Sequence, residues 1–398
     1  MKKLLCVIFA MIFCVMPFSV SATEVATVYP YDIQVEDFWF SPASAEYVSD
    51  GDAKASLLME FSTGKVLFSE NETAHLPIAS VTKVVTMLLI VEAIDAGKIT
   101  LNDVVTVSEY AASMGGSQIF LEANEQITVN DLLKSVVVAS ANDATVALAE
   151  YICGSEAAFV ALMNERAKEL GCENSNFVNT NGLPIENHYS CALDVALFTR
   201  ELMKHEMIFE YTGIWMDTIR NGTFGLANTN KLIRFYKGAT GMKTGFTGEA
   251  MFCLSGTAKR DGMHLIAVVL GASTSAKRFS AVKGLLDYGF ANYSVITPEL
   301  PNLEPINVTR GVEDYADITA DPIDILTEKG KSGNIESKAF INESLQAPIN
   351  VGDEAGYIAY FRDGEELART KVYVTEAVDE VSYGSLLSEI FKILIFKR

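Results

Sequence analysis

The chain has 398 residues, of which 49% are hydrophobic and 21% charged, and it contains 27 glycines and 10 prolines. This composition is typical of a globular protein with a large domain and at least one smaller companion, and it excludes a collagen-like or wholly disordered chain. The formal net charge of −20 repels phosphate backbones, so we expect no nucleic-acid partner.

The first 22 residues have the pattern of a secretory signal peptide. Two lysines precede the apolar run 4–16, and Ala22 ends a small-residue cleavage site. The alternative is an uncleaved membrane anchor, but Pro17 interrupts the run before it reaches the ~20 residues that a spanning helix needs. We therefore expect an exported protein in which residues 23–52 form a linker.

Hydrophobic spacing predicts a hairpin, then helices, then strands, in a catalytic-sized domain over residues 53–296. Short apolar runs at 55–59 and 65–68 flank Ser62-Thr63-Gly64 and predict the β-hairpin. Alternation predicts strands over 251–258 and 264–270. The 3.6-residue period predicts helices over 80–96, 131–138, 144–152, 157–170, 192–204 and 281–288.

A second, smaller domain is predicted beyond Pro298 and Pro301, where the composition changes and no long helical period appears before the C-terminus. Apolar runs at 357–361 and 367–374 flank Asp363-Gly364, which is one of the strongest short hairpin signals. Residues 300–375 are therefore predicted to form a β-rich domain.

Residues 380–398 are predicted to contain an amphipathic helix. Apolar side chains share one face over 386–396, and the basic residues Lys392, Lys397 and Arg398 accompany them. These 11 residues span ~16 Å as a helix, against a hydrocarbon core of ~30 Å, so the helix cannot cross a bilayer. We expect it to lie in the membrane interface, and the alternative is a helix packed on the β-rich domain.

Several classes of chemistry find no support in the sequence. The histidines are scattered and no H-E-x-x-H occurs, so we expect no metal site. The pattern G-x-S-x-G and the glycine fingerprints of nucleotide sites are absent, so we expect neither a Ser-His-Asp hydrolase nor a cofactor. The cysteines of the exported chain are expected to be buried thiols, with one or two disulfides as the alternative: Cys153, Cys172, Cys191 and Cys253.

Three Ser-x-x-Lys motifs are present, and they begin at Ser62, Ser80 and Ser280. A serine and a lysine three residues apart meet only on a helix, where positions i and i+3 share a face. Ser62 lies in the predicted hairpin turn, and Ser280 lies near the closing helix, after every other motif. Ser80 lies at a predicted helix N-terminus, where free N–H groups and the helix dipole favour a developing oxyanion. Ser80 and Lys83 are therefore the candidate catalytic pair.

Two further motifs follow in order. Ser140-Ala141-Asn142 begins 60 residues after Ser80, and Lys243-Thr244-Gly245 begins 103 residues after Ser140. Ser332-Gly333-Asn334 also matches S-x-N, but it lies out of order in the predicted β-rich domain. The ordered set S-x-x-K, S-x-N, K-T-G in an exported chain is the pattern of class A β-lactamases and penicillin-binding proteins.

From about residue 50 onward, the chain resembles the low-molecular-mass penicillin-binding proteins that are serine-type D-Ala-D-Ala carboxypeptidases. The resemblance is carried by 77–83 (PIASVTK), 140–144 (SANDA), 177–184 (FVNTNGLP) and 242–247 (MKTGFT). It implies an α+β fold: a β-lactamase/transpeptidase-like domain, in which a helical subdomain packs against an antiparallel sheet, followed by a small β-rich stalk domain. The terminal helix resembles the membrane anchor of the family.

The same resemblance implies a reaction and its partners. Such proteins remove the terminal D-alanine from peptidoglycan stem peptides through an acyl-enzyme, without a cofactor, and β-lactams inhibit them covalently. The chain would then act at the outer face of the cytoplasmic membrane, in the cell-wall space, on stem peptides that end in D-Ala-D-Ala.

The roles of individual residues follow from the resemblance. Ser80 would be the nucleophile, Lys83 the general base and Ser140 a proton relay, while Lys243 would supply positive charge near Ser140 and the substrate carboxylate. Two lysines in one partly buried cleft should lower the pKa of Lys83, which would leave a neutral amine near pH 7. The other substrate-binding positions are Asn142 for the substrate amide, Thr244 and Arg278 for the carboxylate, Gly245 in the same motif, and Phe246, whose N–H would form an oxyanion hole with that of Ser80.

One departure separates the chain from the class A β-lactamases. Those enzymes need a glutamate that heads an E-x-x-x-N turn downstream of S-x-N, to activate the deacylating water. Here Glu173 is followed four residues later by Phe177, which favours a carboxypeptidase over a β-lactamase. A non-catalytic β-lactam sensor or surface-binding protein is the other alternative, and covalent labelling without D-alanine release would distinguish it.

Overall fold

The computed structural model describes Tyr47, residues 49–331, residues 334–384 and Leu387. The predicted signal peptide, most of the predicted linker and nearly all of the predicted terminal helix lie outside the described residues. Ser332 and Gly333 of the second S-x-N match lie outside them as well.

The helices predicted from periodicity are confirmed, and a 3-10 turn, Ala79–Thr82, precedes the first of them. None of the described helices is by itself long and apolar enough to cross a membrane. The helices Asn142–Cys153 and Glu156–Glu169 have sufficient length and apolar composition only when they are taken together, and they are bent by 83° relative to each other. The helices are α1 Lys83–Asp95, α2 Glu109–Ala112, α3 Val129–Val138, α4 Asn142–Cys153, α5 Glu156–Glu169, α6 Ala192–Met203, α7 Ile208–Thr212, α8 Leu232–Phe235 and α9 Ser275–Asn292.

Along the chain, one group of strands precedes α9 and a second group follows it. The first group contains β1 Ala55–Glu60, β2 Val66–Glu70, β3 Val104–Thr106, β4 Gln126–Thr128, β5 Met216–Ile219, β6 Phe224–Ala227, β7 Ala239–Thr247, β8 Met251–Arg260 and β9 Met263–Ala272. The second contains β10 Tyr293–Ile296, β11 Ile306–Thr309, β12 Tyr315–Ala316, β13 Ile318–Ala320, β14 Ile325–Glu328, β15 Glu336–Ile341, β16 Ser344–Gln346, β17 Glu354–Arg362 and β18 Glu365–Val374.

A five-stranded antiparallel sheet forms the centre of the first domain, with the order β2-β1-β9-β8-β7. Successive side chains of a strand point to opposite faces. Leu57 and Met59 of β1 therefore join the core that contains α1, while Leu58 packs with Val282 and Leu286 of α9. Helices cover both faces of the sheet, and β7 forms one of its edges.

Helix α1 packs against α3, α4, α5 and α6. The positions that follow the 3.6-residue apolar period make up only part of its buried surface, because Val85, Leu89 and Ile90 are buried too. Every position from Lys83 to Val91 is buried, as in a core helix, whereas Glu92 and Asp95 near the C-terminal end are not. The one lysine of this helix, Lys83, stands at its first position and is also buried.

Helix α9 is longer than its predicted range, and this corrects one step of the sequence argument. Ser280 and Lys283 both lie within Ser275–Asn292, so helical spacing alone does not set Ser80 apart from Ser280. Thr274 caps the helix, because its side chain accepts a hydrogen bond from the N–H of Lys277. Burial is what separates the two pairs, since Ser280 is exposed on the surface.

The second domain is the predicted β-rich module. Its main sheet has the order β13-β18-β17-β15, and a smaller sheet has the order β12-β11-β16. Asp363 and Gly364 both have positive φ, 52° and 85°, as the type I′ turn of a two-residue hairpin requires. The antiparallel pair β10 and β14 joins this module to the end of α9.

Contacts with the first domain begin before residue 53. The ring of Tyr47 lies 4.9 Å from that of Phe68 on β2. The carboxylate of Asp50 forms an ion pair of 3.0 Å with Lys277 on α9. The C-terminal end of the predicted linker therefore lies against the sheet and α9.

The cysteines of the described chain are free thiols, as expected. Cys172, Cys191 and Cys253 are buried, and Cys153 is half-buried. Burial raises the pKa of Cys253 to about 11, so its thiol stays protonated. Cys191 caps α6, since its Sγ accepts a hydrogen bond from the N–H of Asp194 at 3.4 Å.

Candidate active site

Ser80 lies in the 3-10 turn before α1 rather than on α1 itself. Ala79 has a positive φ of 48°, and a Cβ added to Gly182 would collide with the backbone carbonyl of Ala79. The turn is thus held in an unusual conformation by close backbone contact with a second loop. Ser80 is half-buried, and Nζ of Lys83 lies 3.2 Å from its Oγ.

The amine of Lys83 has two further partners, and both can only accept hydrogen bonds. Nζ lies 2.6 Å from Oδ1 of Asn142 and 2.8 Å from the backbone carbonyl of Asn181. A neutral amine has two N–H groups and one lone pair. With both N–H groups donated to these acceptors, the lone pair is directed to the hydroxyl of Ser80, which is the geometry that a general base needs.

The environment of Lys83 favours that neutral amine. The side chain is fully buried, and burial lowers its pKa well below the ordinary 10.5. The charge of Lys243 lowers the same pKa further, while the carboxylate of Asp143 opposes both. The expected lowering is confirmed in direction, and burial is its larger cause.

The S-x-N motif lies between α3 and α4. Ser140 has a positive φ of 62° and is buried, and its Oγ has no hydrogen-bond partner among the described residues. Asn142 begins α4, and its Nδ2 donates to the carbonyl of Gly115 at 2.7 Å. This second bond fixes which end of the amide faces Lys83.

The K-T-G motif lies on the edge strand β7. A Cβ added to Gly245 would lie 2.6 Å from the carbonyl oxygen of Ile78 and 3.1 Å from the backbone nitrogen of Ser80. Only a residue without a side chain allows this approach. The approach brings the backbone that follows Gly245 beside the N–H of Ser80, where an oxyanion hole of Ser80 and Phe246 is expected.

Lys243 is buried on the same strand, and its Nζ donates to the carbonyl of Thr244 at 3.0 Å. Burial, with the nearby charge of Arg278 as a second cause, lowers the pKa of Lys243 to about 7. The Oγ1 of Thr244 is hydrogen-bonded to that of Thr229 at 2.7 Å. The side chain of Phe246 is exposed and stacks on Phe252 with ring centroids 4.3 Å apart.

Arg278 lies behind β7 with only 6% of its surface exposed. Its Nη1 donates to the carbonyls of Gly245 and Cys253, at 3.0 and 3.1 Å. Burial lowers its pKa to about 10. The guanidinium on α9 thus holds the backbone of the K-T-G strand through these hydrogen bonds. Its contact with a substrate carboxylate stays a prediction.

In the described part of the chain, Ser62, which begins another Ser-x-x-Lys motif, bonds a carboxylate and not a lysine amine. The hydroxyl of Ser62 donates to the carboxylate of Glu60 in the turn between β1 and β2, with Oγ–O distances of 3.0 and 3.1 Å. Among the described residues, no group of three or more His, Cys, Asp or Glu side chains could hold a metal ion.

Sequence reasoning missed the carbonyl of Asn181. A backbone oxygen has no residue-type signal, so only the structure shows that the 177–184 segment supplies a partner for Lys83. It also missed the role of the loop between α2 and β4, where the N–H groups of Ile119 and Leu121 donate to the carboxylate of Asp143. These bonds hold the loop against the start of α4.

Two family models match consecutive parts of the chain. A family model described as D-alanyl-D-alanine carboxypeptidase matches residues 42–274, and one described as the C-terminal domain of penicillin-binding protein 5 matches residues 302–380. D-alanyl-D-alanine carboxypeptidase DacF of Bacillus subtilis is 45% identical over 343 residues, which cover 84% of this chain and 88% of that protein.

Solved structures show the same fold. The crystal structure of penicillin-binding protein 5 from Haemophilus influenzae has a TM-score of 0.73 at 31% identity, and the match covers 83% of this chain and 98% of that one. Penicillin-binding protein D2 of Listeria monocytogenes in its ampicillin-bound form has a TM-score of 0.53 at 32% identity, over 60% of this chain and 98% of that one.

Fold and site together define a serine enzyme whose hydroxyl lies beside a buried lysine at the junction of a helical subdomain and an antiparallel sheet. The chain belongs to the D-alanyl-D-alanine carboxypeptidase family, as a serine-type carboxypeptidase of the penicillin-binding protein 5 type. The expected α+β fold, enzyme class and family are confirmed.

Proposed function

We propose that this chain is an exported enzyme that removes the terminal D-alanine from peptidoglycan stem peptides through an acyl-enzyme on Ser80. The observation that carries the assignment is the set of three hydrogen-bond partners of the Lys83 amine. Two of them are oxygen acceptors for the N–H groups of the neutral amine, so its lone pair faces the hydroxyl of Ser80. Membership of the carboxypeptidase family supports the substrate.

In the acylation step, Lys83 takes the proton of Ser80 and Oγ attacks the carbonyl carbon of the penultimate D-alanine. The N–H groups of Ser80 and Phe246 stabilise the oxyanion of the tetrahedral intermediate. The C–N bond then breaks, and the leaving amine of D-alanine takes the proton from Lys83 through Ser140. The Oγ of Ser140, which has no hydrogen-bond partner in the described part of the chain, supports this relay.

In the deacylation step, a water molecule gives a proton to Lys83 while its oxygen attacks the ester carbon. The bond from that carbon to Oγ of Ser80 breaks, and Oγ recovers the proton. Lys243, with Thr244 and Arg278, provides the positive and polar surface for the terminal carboxylate, and Asn142 together with Gly245 lines the path of the substrate backbone.

β-Lactams should acylate the same serine, and the ampicillin-bound relative supports this extension. Because no glutamate stands in the E-x-x-x-N position after S-x-N, we expect the penicillin adduct to persist for minutes or longer, whereas a β-lactamase would release it quickly. A β-lactam sensor would carry the adduct but release no D-alanine from peptides.

The location is the second part of the proposal. The signal-peptide pattern of residues 1–22 supports export to the cell-wall space, and the apolar face of 386–396 supports attachment to the outer surface of the cytoplasmic membrane. The β-rich domain then acts as the stalk that holds the catalytic cleft towards peptidoglycan.

The direct test is incubation of the purified chain without its signal peptide with a short peptide that ends in D-Ala-D-Ala. The proposal predicts release of one equivalent of free D-alanine per peptide, which a D-amino-acid oxidase assay measures. The matched peptide that ends in L-Ala-L-Ala should stay intact. Absence of D-alanine release from the folded protein would contradict the proposal.

A further inference from the structure

His188 lies close to the catalytic turn, and the reaction steps above do not use it. It is buried, and its Nδ1 accepts a hydrogen bond from the backbone N–H of Val178 at 3.1 Å. Since Nδ1 accepts, the proton of the neutral ring is on Nε2. Nε2 lies 2.8 Å from Oγ1 of Thr82 and donates to it. Burial lowers the pKa of His188 to about 4, which keeps the ring neutral near pH 7.

These two bonds connect the two loops that hold the amine of Lys83. Thr82 stands in the 3-10 turn between Ser80 and Lys83. Val178 belongs to the 177–183 loop, and the same loop carries the carbonyl of Asn181 that accepts from Nζ of Lys83 at 2.8 Å. The ring of His188 is therefore a bridge between the turn and the loop.

The position of the Asn181 carbonyl decides where the lone pair of Lys83 points. If the 177–183 loop shifts, one acceptor of the amine shifts with it, and the lone pair turns away from the hydroxyl of Ser80. Misplacement of a reacting group by about 1 Å costs about 100-fold in rate. Among the residues that the structure describes, the loop accepts one other hydrogen bond from a side chain of α1, which Oγ1 of Thr86 donates to the carbonyl of Thr180 at 2.6 Å.

We propose that His188 is a positioning residue for catalysis. Its Nε2–H···Oγ1 bond to Thr82 holds the 177–183 loop so that the Asn181 carbonyl meets Lys83 and the lone pair of Lys83 faces Ser80. The inference rests on the proposed roles of Ser80 and Lys83. A histidine that only fills space would affect the free energy of unfolding but not the acylation rate of the folded protein.

Two substitutions of His188 separate its two hydrogen bonds. The amide of a glutamine reaches about as far as Nε2, so His188→Gln can still donate to Thr82 but loses the bond from Val178. The amide of an asparagine reaches about as far as Nδ1, so His188→Asn can still accept from Val178 but loses the bond to Thr82. Both variants remove the aromatic ring, which makes them a matched pair for stability.

Thr82 offers the same test from the other side of the bond. Thr82→Val keeps the shape of the side chain and removes the acceptor, whereas Thr82→Ser keeps the hydroxyl. Thr199→Val is the control for loss of a buried threonine hydroxyl, since Oγ1 of Thr199 bonds the carbonyl of Val195 and Oγ of Ser255, and neither residue belongs to the 177–183 loop. The variant that combines Thr82→Val with His188→Asn completes a double-mutant cycle.

The measurement is the second-order rate constant for labelling by a fluorescent penicillin, with thermal unfolding recorded for every variant. We expect losses of about 100-fold for His188→Asn, His188→Gln and Thr82→Val, because each removes one of the two bonds of the bridge. We expect no further loss in the double variant, and rates within about threefold of the parent for Thr82→Ser and Thr199→Val. A rate near that of the parent for either His188 variant, or additive losses in the double variant, would overturn the inference.

The parent protein and Ser80→Ala separate this inference from the proposed function. If the parent is labelled and Ser80→Ala is not, the site assignment stands and the variant rates decide the role of His188 alone. If the folded parent is not labelled, the proposed function is wrong and the inference falls with it.

Discussion

Oδ1 of Asn142 lies 2.6 Å from Nζ of Lys83, and the other end of the same amide donates to the carbonyl of Gly115 at 2.7 Å. The amide can therefore offer only an oxygen to Lys83. Together with the carbonyl of Asn181, this oxygen occupies both N–H groups of a neutral amine. The S-x-N motif thus helps to set the direction in which the base of S-x-x-K acts.

Replacement of Lys83 by arginine tests the base. A guanidinium stays protonated near neutral pH, so it cannot take the proton of Ser80. We expect Lys83→Arg to lower the acylation rate by about 10³-fold, within the range of general-base catalysis. The exposed Lys277, which pairs with Asp50, provides the control Lys277→Arg, which should acylate like the parent. Acylation of Lys83→Arg within about tenfold of the parent would exclude Lys83 as the base.

Replacement of Gly245 by alanine tests the close approach of β7 to the 3-10 turn. The added Cβ would lie 2.6 Å from the carbonyl oxygen of Ile78, so the strand and the turn must separate. We expect acylation to fall by at least about tenfold and the free energy of unfolding to fall by about 1–3 kcal/mol. Gly248→Ala is the matched control, because its Cβ would meet no atom within 4 Å. Normal acylation by Gly245→Ala would show that the approach is not needed.

The pH dependence of kcat/KM tests the charge of Lys243. Its pKa is lowered to about 7, so the ammonium is present below that pH and is lost as pH rises through it. Attraction of a terminal carboxylate should weaken in the same range, and kcat/KM for a D-Ala-D-Ala peptide should fall with a midpoint near pH 7. The same peptide with a C-terminal amide has no carboxylate and should lack this decline. Parallel profiles for the acid and the amide would refute the contact.

Removal of the terminal segment tests the membrane proposal. The chain should end after Ser382, because the N–H of Val381 donates to the carbonyl of Arg310 at 2.8 Å and a cut near Asp379 would remove that bond. We expect the full-length chain, without its signal peptide, to co-sediment with anionic vesicles, more strongly at low salt than at high salt. The truncated chain should stay in the supernatant with unchanged activity on soluble peptides. Equal sedimentation of both forms would refute membrane attachment through 386–396.

Much of the fold could be predicted because it depends on local patterns. The β1–β2 hairpin, the core helix α1 and the β17–β18 hairpin all have strong periodicity or a clear turn dipeptide. Both ends of α9 were missed. At the N-terminal end, residues 275–280, the side chains of Lys277, Arg278 and Ser280 interrupt the apolar period. The cap at Thr274 was the signal that could have extended the prediction.

The site itself could be predicted only as a set of side chains. The spacing of the motifs identifies Ser80, Lys83 and Lys243, but the carbonyl of Asn181 and the bridge from His188 to Thr82 join residues about 100 positions apart. Such contacts depend on tertiary packing, which no local period encodes. The turn at Ser80 depends on a further long-range contact, the close approach of Gly182 to the backbone of Ala79.

The most direct test of the account is the site of the penicillin adduct. The parent, Ser80→Ala, Ser62→Ala and Ser280→Ala should each be incubated with penicillin, digested and mapped by mass spectrometry. The account predicts a single penicilloyl group on Ser80 in the parent, the same group in the Ser62 and Ser280 variants, and none in Ser80→Ala. An adduct on any other serine, or an adduct that remains in Ser80→Ala, would contradict it.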